Sequence, residues 1–297
     1  MAHAQALRAP SRVTRRRPAA FLRRLFRRRL VLLGAVLAAG FLLVSLTAPL
    51  LAPQGYDQQD LVQRLHPPST AHPLGTDTLG RDQFGRIVWG ARISLLVGAL
   101  AVTIGLVIGT AVGVLAGFYG TLLDRTAMGA MDILLAFPDI LLALAVIAAL
   151  GPGLPQVMIA VGVHEIPRFA RLVRGSVLSV RMLEYVDAAR VLGASDPRIM
   201  GRHVIPNVIA PIIVLTSLDI GTTMLAAAGL SFLGFGAQPP LPDWGGMINQ
   251  GRAFLRTAWW VGVFPGAAIM LTVLGFNLIG DGLRDALDPR LRQSSQS

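Results

Sequence analysis

Residues Ile93–Leu123, ISLLVGALAVTIGLVIGTAVGVLAGFYGTLL, form a run of 31 positions with no charged side chain. At about 1.5 Å of rise per residue this run outreaches the roughly 30 Å of bilayer hydrocarbon, so it reads as a membrane-crossing helix that tilts or extends past the lipid. Upstream, Leu30–Ala48 is a second uncharged run, of 19 residues, long enough to cross once. Downstream, a third span is expected from about Ala127 to Leu150, interrupted by Pro138, and Gly151-Pro152-Gly153 turns the chain into a shorter fourth. A fifth covers roughly Val208 to Phe232 and a sixth roughly Ala258 to Gly280, with Gly229, Gly234, Gly236 and Pro239-Pro240 marking the turn between them. The expected fold is an all-α integral membrane protein of six transmembrane helices.

Composition agrees. Of 297 residues 53% are hydrophobic and 14% charged, and a mean hydropathy of +0.60 lies well above that of soluble domains. All 27 basic side chains are arginine, so a phosphate-binding GxxxxGK[ST] loop cannot occur in this chain. The absence of cysteine excludes disulfides, thiolate metal sites and cysteine nucleophiles. The net charge of +11 does not point to nucleic acid, because the arginines flank apolar spans, where the positive-inside rule and anionic lipid account for them. With both termini in the cytosol, 21 arginines are cytosolic and 6 are outside. The tail with Arg15-Arg16-Arg17 and Arg27-Arg28-Arg29 stays inside. A secretory signal is the rival reading of this terminus, but the apolar run is longer than a signal core and no small-x-small cleavage site follows it. The divisions are a basic cytosolic tail (1–29), a first transmembrane helix (30–52), an extracytoplasmic segment (53–92), a core of five transmembrane helices (93–283) and a cytosolic C-terminal tail (284–297).

Between spans four and five lies a polar loop, about 168–207. Within it Tyr185, Ala188, Ala189 and Leu192 fall at i, i+3, i+4 and i+7 and share a helix face, with Glu184, Asp187 and Arg190 on the other side. Gly193 is placed to end this helix in the left-handed conformation, and Asp196-Pro197 reads as the N-cap and first position of a second helix that stops near Pro206. Small residues on one face let another backbone come close, so the element reads as a docking surface projecting into water.

Ionisable groups in spans are costly and face a bundle interior or an aqueous path. Asp139 and Asp219 are therefore candidates for a translocation path. The plainer readings are that Asp139, next to Pro138, satisfies freed backbone, and that Asp132 lies at the cytosolic interface. His66, His72, Asp77 and Asp82 match no familiar metal-ligand spacing. Gly75-Thr76-Asp77 and Gly80-Arg81-Asp82 read instead as turn and cap punctuation before an amphipathic helix on the outer face. His164-Glu165 lacks the second histidine of HExxH, since Arg168 stands there, which leaves an intramembrane protease unsupported.

These residues carry a family resemblance from about His72 to Arg290. Asp187-Ala188-Ala189, Gly193 and Pro206 occupy the register of the cytosolic signature of permease subunits of ATP-binding-cassette importers, with Asp187 in place of glutamate, His203 at the isoleucine position and Ile205 at the leucine position. His72-Pro73-Leu74-Gly75-Thr76-Asp77, Phe169-Ala170-Arg171-Leu172-Val173-Arg174-Gly175, Ala228-Gly229-Leu230-Ser231-Phe232-Leu233-Gly234, Asp243-Trp244-Gly245 and Gly280-Asp281-Gly282-Leu283-Arg284-Asp285 are similar to the dipeptide/oligopeptide/nickel group. His164-Glu165-Ile166-Pro167 departs from that pattern. The resemblance implies a bacterial inner-membrane importer subunit, not itself an enzyme, whose Glu184, Asp187, Ala188, Ala189, Leu192, Gly193 and Pro206 dock an ATPase. It implies no cofactor in this chain, ATP-Mg on two separate ATP-binding subunits, a homologous second permease and an extracytoplasmic substrate-binding protein. Di- or oligopeptides are the implied cargo, with nickel or another small solute as the alternative; a stand-alone secondary transporter would need inverted repeats, and none is evident.

Overall fold

A computed structural model describes residues 28–287; most of the basic tail and the end of the C-terminal segment lie outside those residues. Among the described residues the chain is helical, without strands, and one isolated bridge joins Thr76 and Asp82. Four helices are long and apolar enough to cross a membrane, or five if one sharply bent pair counts as a single span.

The first helix, α1 (Arg29–Leu46), ends where the Thr47 hydroxyl donates back to the Leu43 carbonyl at 2.6 Å, and Pro49 opens the single turn α2 (Ala48–Leu51). A largely irregular segment follows, up to Asp82, whose carboxylate accepts from the Gly85 amide at 2.7 Å and starts α3 (Gln83–Tyr119). The cap reading of Asp82 therefore stands, but the helix it starts is the span itself. No breaker separates Gln83 from Ile93, so no separate amphipathic helix forms, and α3 runs for 37 residues, about 55 Å.

Four glycines at four-residue intervals, Gly105, Gly109, Gly113 and Gly117, make one face of α3 nearly flat. Along it lies α6 (Leu154–Arg181), parallel to α3. A Cβ on Gly109 would sit 2.5 Å from the Ile166 carbonyl oxygen, and one on Gly113 2.5 Å from that of Ala170. This is the small-residue route to close helix contact, which leaves Phe169, Val173 and Val177 buried in the seam. The remaining long helices continue the bundle with alternating direction. α9 (Ile205–Phe232) packs on α6 and α3, α11 (Trp260–Leu287) on α9, and α1 on α11, where Gly275 and Gly282 meet Ala38 and Val31. Arg28 and Asp285 pair where α1 begins and α11 nears its end. The short α10 (Trp244–Gly251) plugs the opposite end, with the Trp244 indole donating to the Ile87 carbonyl at 3.0 Å.

In the middle of the chain the expected interruption at Pro138 is present, and the helix that follows is longer than expected. The interrupted third span is two helices, α4 (Thr121–Ala136) and α5 (Asp139–Leu150), bent by 97°. Pro138 forces Phe137 into an extended conformation (φ −86°, ψ 136°), which stops α4 outright. The helix after Gly151-Pro152-Gly153 is longer than the short span expected there, because α6 has 28 residues and passes through Pro167 unbroken. Its arginines keep it out of the apolar class, yet they find partners on other helices. Arg174 grips Asp124 of α4 through two contacts of 2.5 and 2.6 Å, Arg171 reaches Asp132 at 2.6 Å, and Arg181 donates to the Gly117 and Phe118 carbonyls at the end of α3. Gly229, expected in a turn, is interior to α9, and the turn begins after Phe232.

Candidate functional site

Between α6 and α9, at the arginine-rich end of the bundle, the chain forms α7 (Glu184–Val191) and the single turn α8 (Asp196–Ile199). Glu184 and Asp187 occupy the first turn of α7 and Arg190 the last, the charge order that a helix dipole favours. The helix ends on Gly193 at φ +81°. The Ala194 amide bonds to the Ala189 carbonyl and the Gly193 amide to Arg190, both at 3.0 Å, and Ala189 and Ala194 both pack against the core. This is a complete Schellman closure, with the left-handed residue where the glycine was expected.

The second half differs from expectation in two respects. The N-cap of α8 is Ser195, in extended conformation, and Asp196 and Pro197 are its first two helical residues. The element does not stop near Pro206: a π turn (Met200–Val204) carries it into α9, so that Asp196–Phe232 is continuous. Pro206 falls in the first turn of α9, directly after the π turn, where the wider bonding pattern has already interrupted the ladder its missing N–H would have joined. Asn207 ties this junction to α7, donating to the Tyr185 hydroxyl at 3.2 Å and to the His203 carbonyl at 2.6 Å.

Val186, fully buried beside Ile199 and Val204, anchors α7 to the bundle. The outer side of the element is apolar and uncovered. Val191 and Leu192 are each 87% exposed, and Met182, Leu183, Tyr185 and Ala188 are exposed with them. Glu184, Asp187 and Gly193 are also exposed, and Asp187 pairs loosely with Arg190 at 3.4 Å. Met182, Leu183 and Val191 are not on the helical face picked out by spacing. The available signal was a row of large apolar residues flanking the caps of a polar loop.

The two acidic candidates sit in different surroundings. Asp139 begins α5 at the sharp bend, with its carboxylate 77% exposed and 3.5 Å from the His164 ring. Asp219 is buried in the α6–α9 seam, where Arg168 reaches it at 3.0 Å. The same arginine contacts Glu165 at 3.2 Å, and Thr223 donates to Glu165 at 3.2 Å. The sequence signal for Glu165 and Arg168 was an i, i+3 opposite-charge pair where the uncharged start of α6 gives way to its arginine-rich half.

At the opposite end, the histidines and acids of the 53–92 segment are parcelled out to separate partners. His72 pairs with Asp82 at 3.1 Å, while the buried Asp77 holds Arg81 at 2.7 Å and Arg86 at 3.4 Å. Gln83 donates to the Val261 carbonyl and the Trp260 indole to the Thr76 carbonyl, fastening this segment to the start of α11. A cleft of about 690 Å³ opens beside it, bordered by Tyr56, Asp60, His72 and Asp82.

Residues 109–293 match the family described as binding-protein-dependent transport system inner membrane component, and residues 19–68 match the N-terminal transmembrane domain of oligopeptide transport permease C. The chain is 48% identical over 270 residues to the dipeptide transport system permease protein DppC of Alkalihalophilus pseudofirmus, covering 91% of this chain and 89% of the relative. It is 46% identical over 273 residues to the glutathione transport system permease protein GsiD of Pectobacterium atrosepticum, covering 92% and 91%. Among solved structures it is similar to a chain of the inward-facing MetNI methionine ABC transporter, with a TM-score of 0.56 at 20% identity over 69% of this chain and 97% of that one. A second similarity, with a TM-score of 0.52 at 17% identity, is to an amino acid ABC transporter, covering 67% and 92%.

Proposed function

The chain belongs to the binding-protein-dependent transport system inner membrane component family, and from that premise we propose that it is one of two permease subunits of an ATP-driven importer of di- or oligopeptides. It forms half of the translocation path and performs no chemistry of its own. A homologous permease supplies the other half, two ATP-binding subunits hold ATP-Mg, and an extracytoplasmic binding protein delivers the cargo. Nickel or another small solute stays the alternative cargo, because relatives of similar identity are named for dipeptide and for glutathione.

The observation that carries this reading is the uncovered apolar crest on an element closed at Gly193 and lying outside the long apolar helices. Burying one leucine contributes about 1.5–3 kcal/mol, so Val191 and Leu192 together supply a substantial anchor for a partner. Glu184 and Asp187 flank the crest and offer carboxylates to that partner's donors. α7, closed at Gly193 and tied by Asn207 to α9, is stiff enough to convey displacement instead of absorbing it. In this arrangement the 168–207 region is cytosolic, the 53–92 segment is extracytoplasmic, and both termini are cytosolic. The crossings number six: α1, α3, the bent pair α4–α5, α6, α9 and α11. For α6 the part from Leu154 onward, carrying Glu165 and Arg168 near its middle, crosses the bilayer, and the end near Arg181 emerges with the loop. Asp139, exposed at the bend, faces the path; Asp219 borders it through Arg168.

The chain contains no cysteine, so one introduced thiol is unique in it. In cells expressing the whole importer, Ala188→Cys is expected to cross-link to an ATP-binding subunit. Leu192→Asp is expected to weaken ATPase association about ten-fold or more, as a lost buried leucine requires, while the permease pair still assembles. Failure of Ala188→Cys to capture any nucleotide-hydrolysing subunit would refute the docking assignment.

A further inference from the structure

The cytosolic element hangs from α6 and α9, so its thrust reaches the rest of the bundle only as far as those two helices move together. Their seam is apolar at both ends. Toward the loop, Phe169, Val173 and Val177 meet Val204, Val208 and Ile212; at the far end, Val157, Ala160 and Val161 meet Ala227 and Leu230. Seams of valine and alanine are non-directional and specify register weakly.

Between the two apolar stretches lies one polar cluster. Glu165 is 3% exposed and Asp219 1%. Arg168 bridges them at 3.2 and 3.0 Å, and Thr223 of α9 holds Glu165 from across the seam at 3.2 Å. Gly105 of α3 lies directly against the Glu165 Cβ, so the carboxylate stem is fixed from the third side as well. A slide of α6 along α9 by one turn, about 5.4 Å, would part the buried Asp219 from Arg168 and the buried Glu165 from Thr223, the two contacts that cross the seam, and leave the Asp219 carboxyl without its partner.

We propose that Glu165, Arg168, Asp219 and Thr223 are a register lock that makes α6 and α9 a single lever, so that displacement of the loop is delivered to the outer half of the bundle and not lost as sliding between helices. These are positioning residues. The inference rests on the reading of the 182–204 element as the ATPase docking surface, and it assigns a role to two polar side chains of α6, Glu165 and Arg168, that the docking surface does not use.

The test uses the complete importer in proteoliposomes and measures uptake per ATP hydrolysed for Asp219→Asn, for Glu165→Gln and for the pair Arg168→Cys with Asp219→Cys. Expected is a fall of about ten-fold in uptake per ATP, the size of an ordinary coupling free energy, with ATPase turnover retained. A short bifunctional thiol reagent that joins the two introduced cysteines is expected to restore the ratio. Wild-type importer that shows no ATP-dependent uptake of any tested peptide would instead strike the underlying functional reading. Given a working wild type, a ratio unchanged in Asp219→Asn overturns the lock, and so does a loss in the cysteine pair that cross-linking does not restore.

Discussion

Asp243 shows how a single residue couples folding to pH. It caps α10 by accepting from the Gly246 amide at 3.1 Å, and it is buried. Burial pushes its carboxyl above the ordinary carboxylate range, against the Gly246 amide, the Ser231 hydroxyl and the Gly245 and Ala237 amides, which hold it down. With the folded value above the unfolded one, the fold favours the neutral acid. The stabilisation is therefore complete below the unfolded pKa, about 3.9, and is lost as pH rises through the folded value. Asn keeps the cap without the ionisation. Asp243→Asn should melt at a higher temperature than the parent in detergent at pH 7 and show no such advantage at pH 4; an advantage independent of pH would contradict this account. The capping role was readable from Asp243-Trp244-Gly245, but the burial was not, because it depends on α9 and α3 closing over the turn.

At the scale of elements, the glycine face of α3 decides how closely α6 approaches. Gly105, Gly109, Gly113 and Gly117 lie inside an uncharged run whose length alone announced a span, and their four-residue spacing was legible there too. Which helix they serve was not legible, since spacing defines a face and not its partner. Gly113→Leu should force α6 away from α3 and destabilise the protein by about 3 kcal/mol or more, as overpacking a tight seam does. Gly175→Leu on the opposite side of α6, where nothing lies within 4 Å of the added carbon, should cost far less. Thermal unfolding of the two variants compares them directly. The junction of α8 with α9 teaches the converse lesson. Pro206 is a sound local stop signal, and a π turn overrode it by supplying the irregularity that the proline needed without ending the element.

For the whole molecule, the long helices alternate in direction and the ends near Arg29, Tyr119, Arg181, Ile205 and Leu287 gather on one side; the arginine distribution is the ground for proposing that this side is cytosolic. A membrane-impermeant thiol reagent should label Gln58→Cys in intact cells and Ser195→Cys only in inverted vesicles; the reverse pattern would invert the protein. The sequence by itself determined the helical class, the positions of the long apolar helices and the caps at Asp82 and Gly193. All of these rest on interactions within a few residues or on the bilayer acting as a uniform solvent. Tertiary structure alone decided the exposure of Val191 and Leu192 and the choice of Asp219, on another helix, as a partner for Arg168. A charge in a helix can be satisfied by any opposite group within about 3 Å, and only the packing of helices distant in sequence determines which group comes that near.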